Sequence, residues 1–119
     1  MRWEFHNDAP IYAQIMDRIQ RMIVSGALAP GEKLPAVRSL ALEAGVNPNT
    51  MQKALTELER GGLIFSQRTN GHFVTENAEI ISAARSHLAA AQAAAYLKSM
   101  TELGYGPAEA AKLLQEQLH

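Results

Sequence analysis

Isoleucine and methionine return at helical spacing early in the chain. Ile11, Ile15, Ile19, Met22 and Ile23 fall on one stripe separated by polar residues, which predicts an amphipathic helix. Pro10 suits its first turn, where the missing N–H costs no hydrogen bond, and Gly26 closes it. A second stripe, Val37, Leu40 and Ala41, predicts a short helix over 36–44. A third, Met51, Ala54, Leu55 and Leu58, predicts one over 48–60 that Gly61-Gly62 ends. The connector between the first two helices holds a Pro30-Gly31 pair suited to a type II turn. The period then changes. Residues 63–67 (Leu-Ile-Phe-Ser-Gln) and 72–75 (His-Phe-Val-Thr) are β-prone and flank Arg68-Thr69-Asn70-Gly71, where Asn-Gly predicts a hairpin because both residues tolerate positive φ. Ahead of the first helix, Arg2 to Phe5 alternates with Trp3 and Phe5 on one side, as a short strand or an extended arm.

From Asn77 the chain turns alanine-rich and predicts a long helix to Leu103, broken by Gly104-Tyr105-Gly106. Pro107 opens a last helix with Ala111, Leu114 and Leu118 along one face. In the long helix Ile81, Ala84, Leu88, Ala91 and Ala95 form a narrow seam of mostly small side chains. So thin a stripe needs a partner, and small residues let two backbones approach closely. The expected fold is therefore mostly α. A winged helix-turn-helix, three helices plus a β-hairpin wing, occupies residues 1–76. A two-helix arm over 77–119 is expected to dimerise, the alternative being that it packs on its own winged helix.

Composition narrows the class. With 47% hydrophobic and 19% charged residues, the chain reads as a folded domain, and no apolar run approaches a membrane span. No signal-peptide pattern opens it. The absence of cysteine excludes disulfides and thiolate metal sites and suits a reducing, cytoplasmic setting. His6, His87 and His119 show no metal-ligand spacing, so neither a metal nor a cofactor is expected. No nucleophile–base pair or phosphate-cradling glycine loop stands out, which speaks against an enzyme. The net charge of −1 is unusual for a nucleic-acid binder. Of the 11 Lys and Arg and 12 Asp and Glu, eight of each lie in residues 1–76, so basic charge must be local, at Arg38, Lys53 and Arg68.

The candidate chemistry sits on the third helix. A helix ending at Gly45 and restarting at an Asn cap is how a helix-turn-helix is written. The restarted helix carries Asn49, Thr50, Gln52 and Lys53 with no acid among them, a face suited to phosphates and base edges.

These residues resemble the GntR family of bacterial transcription regulators. The matching text is Pro10-Ile11-Tyr12-Ala13-Gln14-Ile15, Ser25-Gly26, residues 30–35 (Pro-Gly-Glu-Lys-Leu-Pro), Val37-Arg38, residues 45–50 (Gly-Val-Asn-Pro-Asn-Thr), Ala54-Leu55, Leu58-Glu59, Gly62-Leu63-Ile64 and Gly71-His72-Phe73-Val74. The tail, with Leu103-Gly104-Tyr105 and Ala108-Glu109-Ala110, is similar to the small YtrA-like subfamily, whose C-terminal part is two helices. The resemblance implies that Arg38 meets a phosphate or base, that Asn49, Thr50 and Gln52 enter the major groove, and that Lys53 holds a phosphate beside them. It places the wing tip, Asn70, Gly71 and His72, along the minor groove with Arg68 supplying charge. Asn47 joins this set mainly as a helix cap. Relatives often carry Ser where this chain has Ala36, and arginine where it has Pro48 and Gln52. Glutamine pairs more naturally with adenine than with guanine.

The function expected is a homodimeric, sequence-specific repressor on a pseudo-palindromic double-stranded DNA operator, with half-sites about one turn (~34–36 Å) apart. The rival reading is a protein–protein interaction module on the same scaffold, which the balanced charge favours. A DNA-binding enzyme subunit is a further rival with no visible catalytic residues. Tyr96, Met100 and Tyr105 are a candidate lining for a small effector pocket, with hairpin packing the plainer reading.

Overall fold

The structure is a computed structural model that describes residues 3–118. Arg2, at the head of the expected strand, and His119 lie outside it. Five helices and one two-stranded antiparallel hairpin follow in order: α1 (Ile11–Val24), α2 (Val37–Ala44), α3 (Pro48–Arg60), β1 (Ile64–Gln67), β2 (Gly71–Val74), α4 (Ala78–Glu102) and α5 (Pro107–Glu116). The chain divides into two compact units, the first ending at Arg85 and the second beginning at Ser86, so that α4 contributes to both.

The first unit is a winged helix built on the predicted stripes. Ile15, Ile19 and Ile23 of α1, Leu40 and Ala41 of α2, and Met51, Ala54, Leu55 and Leu58 of α3 are buried together. Ile64 of β1 and Val74 of β2 close the core from the wing side. Ile11 stands outside the expected stripe, at 37% exposure, because it opens α1 before the helix meets its neighbours.

Residues 3–6 are an arm without strand pairing. Trp3 stacks on Phe5 with ring centroids 6.1 Å apart, and both pack against the core. Gln14 pins this arm to α1. Its Nε2 donates to the carbonyls of His6 and Ala9 (2.8 Å each), and its Oε1 accepts from the His6 N–H at 3.0 Å.

The α2–α3 turn has the ending that its glycine foretold. Gly45 takes the left-handed conformation (φ 72°, ψ 34°), its N–H donates to the Leu42 carbonyl at 3.3 Å, and the Val46 N–H donates to the Ala41 carbonyl at 3.0 Å. This is the paired closure of a Schellman motif, with Val46 packed back on the core. Asn47 then caps α3 by accepting the Asn49 N–H on its Oδ1 at 2.7 Å.

The wing differs from expectation in two ways. The hairpin pairs Gln67 with Gly71, leaving a three-residue connection, Arg68–Asn70, wound as a single 3-10 turn. Positive φ falls on Arg68 (27°) and Gly71 (92°) instead of on an Asn70-Gly71 pair. The second difference is an added edge. The connector bonds along β2: Gly31 N–H to Val74 O (2.9 Å), Val74 N–H to Glu32 O (2.9 Å) and Leu34 N–H to His72 O (2.8 Å). Lys33 thereby bridges to Phe73, so the segment before α2 acts as a third, short strand of the wing. Within the connector, Glu32 N–H reaches Ala29 O at 3.0 Å across Pro30-Gly31, closing the expected turn.

The first turns of α4 belong to the winged helix. Asn77 caps them, its Oδ1 accepting from the N–H groups of Glu79 and Ile80. Ile81 is 7% exposed in the core, and Ile80 and Ala84 pack against it.

In the second unit, α4 and α5 form a helical hairpin. Tyr96 donates its hydroxyl to the Ala110 carbonyl at 2.7 Å, and Ala110 is the buried residue of α5. Glu109 caps α5 by accepting the Gly106 N–H at 3.1 Å. The expected face of Ala111, Leu114 and Leu118 stays exposed, because α5 turns Ala110 inward instead.

Candidate nucleic-acid interface

α3 presents two faces. Its buried face carries Met51, Ala54, Leu55 and Leu58, and its outward face carries Asn49, Gln52, Lys53 and Thr56, all exposed. Thr50 is half-buried between them. The Gln52 amide donates through Nε2 to Thr56 Oγ1, one helical turn on, at 3.2 Å. That contact leaves the Gln52 carbonyl oxygen available as an acceptor. Thr56 was not among the residues the sequence marked, although its spacing of four from Gln52 was the available signal.

The acids of α3 are segregated and engaged. None lies between Pro48 and Thr56. Glu57 binds Arg60 through both carboxylate oxygens, at 2.9 and 3.0 Å, and Glu59 accepts the Ser66 hydroxyl of β1 at 2.6 Å. The near-zero net charge of the chain therefore does not carry over to the first half of α3. Lys53 gives that half a positive charge, and its ammonium stands 3.9 Å from the ring centroid of Tyr12 on α1. Tyr12, half-buried and the one aromatic residue of α1, is a second residue to which the sequence pattern gave no role.

Arg38, the second residue of α2, is exposed and has no hydrogen bond or ion pair among the described residues. An open groove of about 570 Å³ runs beside it, walled on one side by residues 33–37 and on the other by Thr69, Asn70, Gly71 and His72. The fold thus brings the wing tip alongside the start of α2, a juxtaposition that the added strand at Lys33 enforces. Asn70 and Arg68 are exposed; Gly71 and His72 are half-buried in the pairing. Phe65 and Phe73 stack across the strands at 5.6 Å and stiffen the wing. Ala36, at the N-cap of α2, makes no side-chain cap bond.

A polar helix face with cationic side chains beside it is the kind of surface that suits base edges and phosphates. The GntR family model, bacterial regulatory proteins of the gntR family, matches residues 11–74. The chain belongs to the GntR family. Among GntR proteins, it is 41% identical to the uncharacterized HTH-type transcriptional regulator YhcF of Bacillus subtilis over 85% of this chain and 84% of that one. It is 44% identical to the Bacillus subtilis HTH-type transcriptional repressor YtrA over 61% of this chain and 56% of that one, which places it on the small YtrA-like branch. A GntR family transcriptional regulator from Listeria monocytogenes superposes with a TM-score of 0.85 at 32% identity, covering 94% of this chain and 98% of that one. The DNA-binding domain of AraR, solved in complex with an operator, superposes with a TM-score of 0.59 at 30% identity over 63% of this chain and 96% of that one. These GntR relatives are transcriptional regulators and not enzymes.

The residues expected to form the dimer seam part company. Ile81 and Ala84 are taken up inside their own chain by the winged-helix core, because the first turns of α4 complete that core. Leu88 is half-buried, whereas Ala91 and Ala95 are exposed. Nor is the apolar surface of α4 a single stripe, since alanines lie all around the helix. Of the candidate effector lining, Tyr96 is bonded to Ala110, and the Tyr105 N–H closes the turn onto the Met100 carbonyl at 3.0 Å. The apolar groove of about 600 Å³ between α4 and α5 is walled by Ala89, Ala93, Tyr96, Leu97 and Leu114 but by neither Met100 nor Tyr105. No helix among the described residues is long and apolar enough to cross a membrane, and no group of metal-ligating side chains occurs among them.

Proposed function

We propose that this GntR protein is a homodimeric repressor acting on cytoplasmic DNA, with the α3 of each protomer in the major groove of one half of a pseudo-palindromic operator. The observation that carries the reading is the outward face of α3: Asn49, Gln52 and Lys53 exposed together, with every acid of the helix beyond them and engaged. Gln52, held by Thr56, reads a base edge, with adenine the natural partner of a side-chain amide. Arg38 and Lys53 hold phosphates, and Asn47 serves the interface by capping α3. The wing tip, Arg68 to His72, follows the minor groove. The operator complex of the AraR domain supports this docking by similarity of fold.

Dimerisation belongs to the same reading. One recognition helix and one wing make too few contacts for genomic specificity, so a two-fold copy is required. The second unit offers the surface: Ala91, Ala95, Leu97 (41% exposed) and Leu114 (50% exposed) are apolar and uncovered within the chain. A small effector is not needed by this reading.

Titration of the protein against fragments of the source genome at two salt concentrations tests the proposal. A DNA binder weakens steeply as salt rises, because each phosphate contact releases counterion. Binding that is absent, or that ignores salt, overturns the reading in favour of a protein–protein module.

A further inference from the structure

Lys53 has an unusual neighbour. Its ammonium lies 3.9 Å above the ring of Tyr12, a residue of α1 and not of its own helix. An acid stands where a helix would ordinarily supply a partner, since Glu57 is four residues on. That carboxylate is instead occupied on both oxygens by Arg60. The lysine is therefore held by a ring and not by a carboxylate.

The difference matters for phosphate binding. A carboxylate would neutralise the ammonium and compete with a phosphate for its protons. A ring attracts the cation through its quadrupole, uses up none of its N–H groups and leaves its charge intact. Tyr12 packs against the hydrophobic core, so its ring is a fixed platform, whereas Lys53 is an exposed, flexible side chain. We propose that Tyr12 is a positioning residue for DNA binding: its ring pre-orders the Lys53 ammonium on the outward face of α3, so that less freedom is lost when a phosphate arrives. This inference rests on the DNA-binding reading of α3.

The test uses mixed-sequence duplex DNA, because a phosphate contact needs no particular operator. Affinity and its salt dependence are measured for the wild type, Tyr12→Phe, Tyr12→Leu, Lys53→Met and the Tyr12→Leu/Lys53→Met double variant, with thermal melts to show that each is folded. Tyr12→Phe keeps wild-type affinity, and Tyr12→Leu weakens binding about two- to fivefold, the range of a surface cation–π contact. In the Lys53→Met background Tyr12→Leu adds nothing, since its effect passes through the lysine. In the free protein the Lys53 Cε protons show an upfield ring-current shift, kept in Tyr12→Phe and lost in Tyr12→Leu. The proposal is overturned if Tyr12→Phe loses as much as Tyr12→Leu, which would make the hydroxyl the agent. It is equally overturned if Tyr12→Leu costs the same factor with or without Lys53, or if the ring-current shift is missing. A wild type that binds DNA while Tyr12→Leu binds equally well defeats this inference alone. A wild type with no salt-dependent DNA binding defeats the reading of α3 and this inference together.

Discussion

Arg85 of α4 donates through both Nε and Nη2 to the carbonyl oxygen of Val24, the last residue of α1, at 3.0 Å in each case. One charged fork thus satisfies an end carbonyl of α1, a group that the helix itself cannot bond, and ties the opening turns of α4 to the winged helix. Arg85→Ala is expected to cost about 1 kcal/mol, solvent access holding the loss to the lower end for a charged hydrogen bond. Urea denaturation reads the loss, and hydrogen exchange at residues 78–85 quickens while the α3 core keeps its protection.

Ile81 and Ala91 lie on the same helix and are expected to respond oppositely. Ile81→Ala opens a cavity in the winged-helix core and lowers stability by about 2–4 kcal/mol, leaving the oligomeric state unchanged. Ala91→Glu places a charge on an exposed position and dissociates the proposed dimer with little change in protomer stability. Light scattering beside a denaturant curve separates the two. A chain ended after Arg85 stays folded and is monomeric, whereas one ended at Asn77 lacks Ile81 and melts earlier.

The two ends of α2 can be altered with opposite effects on stability. Ala36→Ser supplies the missing N-cap acceptor to α2 and is expected to add about 1 kcal/mol. Gly45→Ala puts a Cβ on a left-handed residue and is expected to remove about 1–2 kcal/mol. Thermal melting of the two single variants checks both signs.

On DNA, Arg38→Ala is expected to weaken binding to all sequences alike and to flatten the salt slope by about one counterion. Gln52→Ala instead costs about 1–3 kcal/mol on the preferred site and blurs discrimination at one base position. Competition titrations with single-base operator variants distinguish these. If Gln52→Ala leaves the base preference intact, Gln52 does not read a base.

The first three helices were legible because each carries its own apolar period and its own stop, whereas α4 and α5 showed through their alanine content and the break at Gly104 to Gly106. Gly45 and Asn47 mark the α2–α3 turn through local chemistry alone, and the structure uses both as expected. What the sequence concealed is non-local. The strand-like pairing at Lys33 depends on β2, far along the chain, and a segment with Leu34 as its one buried residue shows no period of its own. The hairpin was legible, with Arg68 to Gly71 as its expected connection, but pairing Gln67 with Gly71 confines the reversal to Arg68–Asn70. Gly71 is needed for another reason: its φ of 92° and ψ of −154° suit glycine. The seam along α4 read as continuous because spacing cannot tell which turns of a helix their own chain will cover. The partnership of Lys53 with Tyr12, like that of Gln52 with Thr56, is a matter of rotamer and contact that composition does not express.

The central claim is that the outward face of α3 meets the duplex. It is tested most directly by adding a genomic fragment that the protein selects to isotope-labelled protein and mapping the amide shifts. The account predicts the largest changes at Asn49, Thr50, Gln52 and Lys53, with a second group at Arg38 and Arg68 to His72. Perturbations confined to residues 86–119, with α3 silent, would contradict it.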